Sequence, residues 1–253
     1  MKTISVFSIK GGVGKSTTAY NLSVALRKFH KKRVLLIDID PQGNSSAALG
    51  VNIFQLEAQL KDGLTRQKRL QQLIISTDSG VDVIASNLEL ARDELMLSGK
   101  AEREHLLRKA ITRQKLDYDF LLIDCPPNAG LFSTNALLAS EYVIVPVDAS
   151  FLGLFGLAFI EDVLHLVAVE LEHPVEILGI LKTRFDGRSN HTKKVSEMID
   201  QRYGEKVFHA IIPETVRVRD AVANGLSIFD YDSKHFAAKA YSLLAAEVVS
   251  RVK

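Results

Sequence analysis

The chain has 253 residues, 47% of them apolar and 25% charged, with a formal net charge of +2. That is ordinary soluble globular composition and ample for a real core, and the near balance of charge means a basic surface can arise only by local clustering. Cys125 is the single cysteine, which excludes an intrachain disulfide framework and any metal or cluster site needing two cysteines of one chain. No apolar run reaches the roughly eighteen residues of a membrane span, and the N-terminus enters a strand pattern without a signal peptide. The expected location is the cytoplasm.

Short β-branched runs alternate with helix-length amphipathic stretches, the pattern of a parallel α/β sheet. In chain order, strands are predicted at residues 3–9, 33–39, 81–86, 119–125, 142–147, 175–183 and 206–212. Helices are predicted at 15–30, 88–98, 101–115, 131–140, 153–171, 192–203 and 234–252. Several strands are apolar at consecutive positions, as expected where helices cover both faces. Residues 42–79 read as loop with one or two short helices. No linker, internal repeat or low-complexity tract divides the chain, so one doubly wound, mostly parallel domain spanning 1–253 is expected.

The first strand runs into SIKGGVGKST, Ser8 to Thr17, and then into a helix, the context that makes a phosphate loop credible. Backbone N–H groups of Gly11, Gly12, Val13, Gly14, Lys15 and Ser16 are expected to face phosphates, with the helix N-terminus adding partial positive charge. Lys15 belongs against the β- and γ-phosphates, the Ser16 hydroxyl on Mg²⁺ and Thr17 near the α-phosphate. The usual G-x-x-x-x-G-K-[ST] pattern would place its first glycine at position 9, where this chain has Ile9, and an extra lysine, Lys10, follows at once.

This KGGVGK[ST] form resembles the deviant Walker A loop of the ParA/MinD superfamily of ATPases. The resemblance implies a P-loop NTPase fold, ATP and Mg²⁺ as ligands, and a homodimer in the ATP state. In it, Lys10 reaches the phosphates of the ATP held by a second subunit. A cation supplied in this way acts where charge develops on the transferring phosphoryl group.

Strand-end aspartates accompany the loop. LLIDIDPQGN sets Asp38 and Asp40 on the same side of the second strand's end, and DFLLIDCPP sets Asp124 after an apolar run, the arrangement that holds Mg²⁺ through water. By the resemblance, Asp40 positions and activates the attacking water. Asp38 is either a supporting partner in the site or a helix or turn cap. Cys125 reads as core filler. The family more often has D-x-P-P-S where this chain has DCPPNAG, with Asn128.

DPQGNSSAALG (40–50), TRFDGRSN (183–190) and IIPETVRVRDA (211–221) are similar to the chromosome- and plasmid-partition branch, Soj/ParA, in order and spacing. The family's I-P-R-N-V-R has Glu214 and Thr215 here in place of a basic and an amide residue. The resemblance implies that Pro213 runs along the adenine ring and that Arg188 and Arg217 occupy DNA-contacting positions. It also implies binding of non-specific DNA over the nucleoid in the ATP state, with release by a ParB-like or other adaptor that stimulates hydrolysis. From Lys182 onward there are 13 Lys/Arg against 9 Asp/Glu, and Arg184, Arg188, Arg217 and Arg219 are the DNA-binding candidates. Phosphate contacts of one subunit are weak and salt-dependent, so dimerisation would tie DNA affinity to nucleotide state.

A chain that starts at its first strand is expected to lack the N-terminal helix-turn-helix extension of larger plasmid ParA proteins. A MinD-like membrane anchor needs a terminal helix with bulky apolar residues opposite lysines, and AYSLLAAEVVSRVK is alanine-rich and small. An iron–sulfur carrier needs paired cysteines, and a metabolic P-loop enzyme would not need Lys10. A ParA-like ATPase positioning a non-DNA cargo over the nucleoid shares all these features. The charged stretch 100–115 reads as a solvent-facing amphipathic helix.

Overall fold

A computed structural model describes residues 1–252. β1 (Lys2–Val6) passes through the glycine loop into α1 (Lys15–His30), and β2 (Val34–Asp38) follows. The stretch 42–79 holds α2 (Asn44–Ala47), α3 (Leu60–Leu64), a 3-10 turn (Leu70–Leu73) and β3 (Ile74–Ser76). Next come β4 (Asp82–Ile84), α4 (Glu89–Leu97), α5 (Leu106–Thr112), β5 (Phe120–Asp124) and α6 (Leu131–Leu138). They are followed by β6 (Tyr142–Asp148), α7 (Phe151–Glu170), β7 (Glu176–Phe185), α8 (Asn190–Tyr203) and β8 (Val207–Pro213). Then α9 (Val216–Ala223), α10 (Ile228–Tyr231) and α11 (Phe236–Arg251) complete the order.

The strands form one sheet in the order β3-β4-β2-β5-β1-β6-β7-β8. Every pair is parallel except β3–β4, so the sheet is mostly parallel as expected. Helices cover both faces, and all residues of β2 and β5 are buried. Alternate side chains feed two cores. Leu35, Ile37, Leu121 and Ile123 join one with Phe132 and Leu157, while Leu36 and Leu122 join the other with Leu22 and Tyr241. Strand order reverses at β1, whose C-terminal end releases the glycine loop, and open α/β sheets form their ligand crevice at such a switch point.

Four local departures from the sequence reading have physical causes. The helix predicted at 101–115 is confined to α5, because Glu102 takes a left-handed φ of 54° and residues 103–105 form a 3-10 turn. β3 is an unpredicted antiparallel edge strand of three half-buried to exposed residues, too short for alternation to register. α9 and α10 were also unpredicted; each is short and starts on a side-chain cap, Thr215 accepting from the Arg217 N–H and Ser227 from the Asp230 N–H. Finally, α7 is long and apolar enough to cross a membrane. This corrects the expectation that no apolar stretch is long enough: Glu161 and Asp162 divide α7 into two shorter apolar runs. Its Leu157, Ile160, Leu164 and Val167 lie in the core, while Phe151, Leu152, Phe155 and Phe159 are exposed.

The β8 edge is closed by side chains of α11. The Glu247 carboxylate accepts from the backbone N–H groups of His209 (2.9 Å) and Ala210 (2.7 Å). Arg251 donates to the carbonyls of Leu178 (3.0 Å) and Val207 (2.9 Å), with its guanidinium 4.3 Å from the centre of the Phe208 ring. That ring lies flat against β7 at Gly179, where an added Cβ would stand 2.3 Å from Phe208 Cε2. Gly179→Ala is therefore expected to destabilise the fold by about 1–3 kcal/mol through overpacking, read as a lower urea midpoint at unchanged slope.

Candidate active site

The loop between β1 and α1 is shaped by glycines that an L side chain could not replace without strain, Gly12 at φ 75° and Gly14 at φ 83°. Gly14 opens α1 with no side-chain cap, and the first helical bond runs from the Thr18 N–H to the Gly14 carbonyl at 2.8 Å. The N–H groups of Lys15, Ser16 and Thr17 are thus left without intrahelical acceptors, at the positive end of a 16-residue helix. They open on a cavity of about 410 Å³ that is also lined by Gly11, Asp40 and Arg219. The loop is held from outside: the Thr183 hydroxyl of β7 donates to the Val13 carbonyl at 2.7 Å, and Arg184 Nη1 to the Gly12 carbonyl at 3.2 Å.

The two lysines are treated differently. Lys15 is 6% exposed, lines the cavity, and donates to the Lys10 carbonyl at 3.0 Å. Burial lowers its pKa, opposed by the neighbouring carboxylates of Asp124 and Asp40. The Lys10 ammonium instead lies against Asp148 Oδ2 at 2.6 Å and Ser150 Oγ at 3.1 Å. Ser150 is the N-cap of α7, so the Lys10 partners sit where β6 turns into that helix.

Asp38 ends β2 directly opposite Asp124 at the end of β5, and both are fully buried. Asp38 Oδ2 accepts from the Ser46 N–H (2.9 Å) and hydroxyl (2.8 Å), so it anchors the first turn of α2, whose N-cap is Gly43. Burial raises the Asp38 pKa to about 6 against those hydrogen bonds, with the Asp40 charge adding to the rise. Asp40 Oδ1 accepts from the Gln42 N–H at 3.0 Å, and the Ser86 hydroxyl donates to the Asp40 carbonyl at 2.5 Å. Asp124 is unlike both: neither oxygen makes a well-formed hydrogen bond, and burial, then the neighbouring Asp38, drives its pKa well up against the nearby hydroxyls of Ser16 and Ser45. An orphaned buried carboxylate beside Ser16, in a site without three clustered protein ligands among the described residues, fits a divalent ion that takes most of its ligands from phosphate and water. Cys125 is fully buried and packs in the core as expected.

The remaining predicted residues fall into two groups. Pro213, Arg184 and Arg219 line a second cavity, about 220 Å³, that shares Gly12, Gly14 and Thr17 with the loop. Arg184 donates to Glu214 at 2.6 Å, so the acid that departs from the family pattern holds an arginine against the loop. Arg188 and Arg217 lie on the surface away from these cavities; Arg188 pairs with Asp186 at 3.0 Å within its own turn. Asn128 accepts from the Gly130 N–H at 2.9 Å and shapes the turn before α6. Asp148, Ser150 and Thr183 were not anticipated. Each reaches the loop from more than 130 residues away, and only the Asp at the end of the predicted strand 142–147 offered a local hint.

A glycine loop feeding an uncapped helix, flanked by strand-end aspartates on a parallel sheet, defines a phosphate-loop NTPase. A family model described as an AAA domain matches residues 1–177. Across its length the chain is similar to the sporulation initiation inhibitor protein Soj of Bacillus subtilis, 37% identical over 250 residues and 98% of each chain. It is equally similar to the chromosome partitioning protein ParA of Caulobacter vibrioides, 37% identical over 254 residues, covering 99% of this chain and 95% of that one. Among solved structures, a cobyrinic acid a,c-diamide synthase of Mycobacterium smegmatis with a bound ATP analog and magnesium matches with a TM-score of 0.84, at 30% identity over 97% of this chain and 93% of that one. The chain belongs to the ParA/Soj family of P-loop ATPases.

Replacing the orphaned carboxylate by its neutral isostere removes a buried charge. In the nucleotide-free protein, Asp124→Asn is expected to raise stability by about 1–3 kcal/mol at neutral pH. Because the Asp124 pKa is raised on folding, wild type recovers that loss as pH falls through the folded pKa toward the unfolded one. The gain should therefore be largest at high pH and vanish near pH ~4, as thermal melts across that range will read.

Proposed function

We propose that this chain is an ATP-switched homodimeric ATPase that binds DNA without sequence preference in its ATP state and drives chromosome or plasmid segregation with a ParB-like partner. The observation that carries this reading is the separation of the loop lysines. Lys15 is buried in the phosphate cavity, while the Lys10 side chain leaves it for Asp148 at a third of full exposure. A loop cation turned away from its own cradle is available to a neighbouring subunit's phosphates.

In this reading the N–H groups of the loop and Lys15 hold the β- and γ-phosphates of ATP, with Thr17 at the α-phosphate and Pro213 along the base. Ser16 and Asp124 hold Mg²⁺, which supplies charge neutralisation on the phosphate oxygens. Asp40, steadied at one oxygen by Gln42, keeps the other to orient the attacking water. Lys10 leaves Asp148 to complete the partner's site, so turnover waits on two chains meeting. Arg188 and Arg217 are the DNA contacts. Arg184 and Arg219, read from the sequence as DNA candidates, are assigned instead to the nucleotide side, where both line the cavity beside the loop. The similarity to ParA of Caulobacter vibrioides supports DNA as the cargo, acting from the cytoplasm over the nucleoid.

Lys10→Ala should bind ATP as wild type does but remain monomeric with ATP in sedimentation, and an ATP-dependent dimer of this variant would overturn the role of Lys10. Asp40→Ala should keep the ATP-dependent dimer and lose turnover, whereas retained hydrolysis would remove Asp40 from the mechanism. Arg217→Ala should weaken binding of the ATP-loaded protein to every duplex sequence alike and reduce the log–log salt slope by about one, measured by anisotropy titrations at several salt concentrations.

A further inference from the structure

Thr183 and Arg184 are consecutive residues near the end of β7, and in a regular strand their side chains would leave opposite faces of the sheet. Arg184 breaks that alternation with a left-handed φ of 50°, a conformation that is costly for any residue with a Cβ. Both side chains reach the phosphate loop, and they do so at consecutive residues. Thr183 Oγ1 donates to the Val13 carbonyl and Arg184 Nη1 to the Gly12 carbonyl. β7 lies two strands from β1, so the loop is gripped across the end of β6.

Arg184 is itself aimed. While Nη1 is on the loop, Nε donates to Glu214 Oε2 at 2.6 Å and Nη2 to Glu214 Oε1 at 3.4 Å, so all three nitrogens of the guanidinium are engaged. Glu214 follows Pro213, the last residue of β8, which stands in register with Phe185. Its own N–H donates to the Phe185 carbonyl at 3.3 Å. A fork held at both oxygens of a carboxylate fixes the plane of the guanidinium, and with it the direction of the remaining donor.

The peptide bonds of the loop are trans, and a trans peptide carries its C=O and N–H on opposite sides. Holding the Gly12 carbonyl therefore turns the Val13 N–H the other way, and holding the Val13 carbonyl turns the Gly14 N–H. Neither N–H has an acceptor among the described residues, although Val13 is only 1% exposed. Buried donors without acceptors are rare, and an anion in the loop would take both. We propose that Arg184, fixed by Glu214, is a positioning residue for ATP: with Thr183 it sets the peptides of Gly12, Val13 and Gly14 so that two N–H donors meet the phosphates without rearrangement. It acts through the outer carbonyls of the loop and does not touch the reacting atoms. The inference rests on the phosphates of ATP lying in this loop, and it names what fixes the shape of the loop before they arrive.

The test uses the full chain with Mg²⁺ and reads the displacement of a fluorescent ADP by ATP, ADP and inorganic tripolyphosphate. Arg184→Gly suits the left-handed backbone, so this variant should keep the wild-type melting temperature while losing the brace. Its affinity for all three competitors should fall about tenfold, and KM for ATP should rise by the same factor, with the loss carried by KM rather than kcat. Glu214→Gln weakens the fork and should give a smaller loss of the same kind, and the double variant should lose no more than Arg184→Gly alone. Unchanged affinity in Arg184→Gly overturns the proposal. So does a loss confined to ATP and ADP, with tripolyphosphate competing as before, because that marks a contact to the nucleoside. A fall in kcat together with the melting temperature overturns it in favour of a general role in the fold, and additive losses in the double variant overturn the part given to Glu214. Wild type that binds none of the three overturns the placement of the phosphates in the loop, a result told apart from the others because it needs no variant.

Discussion

Two carboxylates that stand in register, Asp38 on β2 and Asp124 on β5, set the constraint around which the site is organised. Both are fully buried, so each disfavours the other's charge in a medium that screens poorly. The chain resolves one of them internally: after β2 it folds back as α2 and delivers the Ser46 N–H and hydroxyl to Asp38. The other it leaves with no well-formed hydrogen bond, only the nearby hydroxyls of Ser16 and Ser45. Lys15 is the nearby cation, and its own burial disfavours the charge that would compensate them. A site in this condition is less stable than its surroundings until something with the right charge and geometry enters, a strain concentrated where function is proposed.

How much of this was legible follows from how local each signal is. β1, the glycine loop, α1 and the strand-end aspartates were readable because strand, turn and helix chemistry sit within a few adjacent residues. Buried strands such as β2 and β5 announce themselves by unbroken apolar runs. Asp148 and Thr183 were not readable as parts of the loop, since what recruits them is the neighbouring position of β6 and β7 in the sheet. Short elements were lost for another reason. β3 has three residues and α10 four, less than one clear period of either pattern.

Charge was legible in sign but not in partner. Arg184 reads as part of a basic segment, yet its guanidinium is spent on Glu214, whereas Arg188 stays almost fully exposed beside Asp186. Meanwhile Arg113 and Lys115 belonged to a stretch that read as an ordinary solvated helix. Only the fold brings them opposite Arg66, Lys68 and Arg69 across a surface cleft, and only the pattern of pairing distinguishes a neutralised surface from an unneutralised one. A residue count along the chain cannot make that distinction.

The closing of the β8 edge by Glu247 and Arg251 has a bearing on how such a chain can associate. At the other end β3 offers three residues, one of them exposed serine. Neither margin invites a neighbour to continue the ladder, so both disfavour backbone pairing between copies. That matters for the proposed dimer, whose partnership is temporary. A shared sheet would persist whatever occupied the phosphate loop, whereas the proposed contact through the loop face would be conditional on what the loop holds. Disfavouring the permanent mode of assembly would keep the proposed reversible one in command.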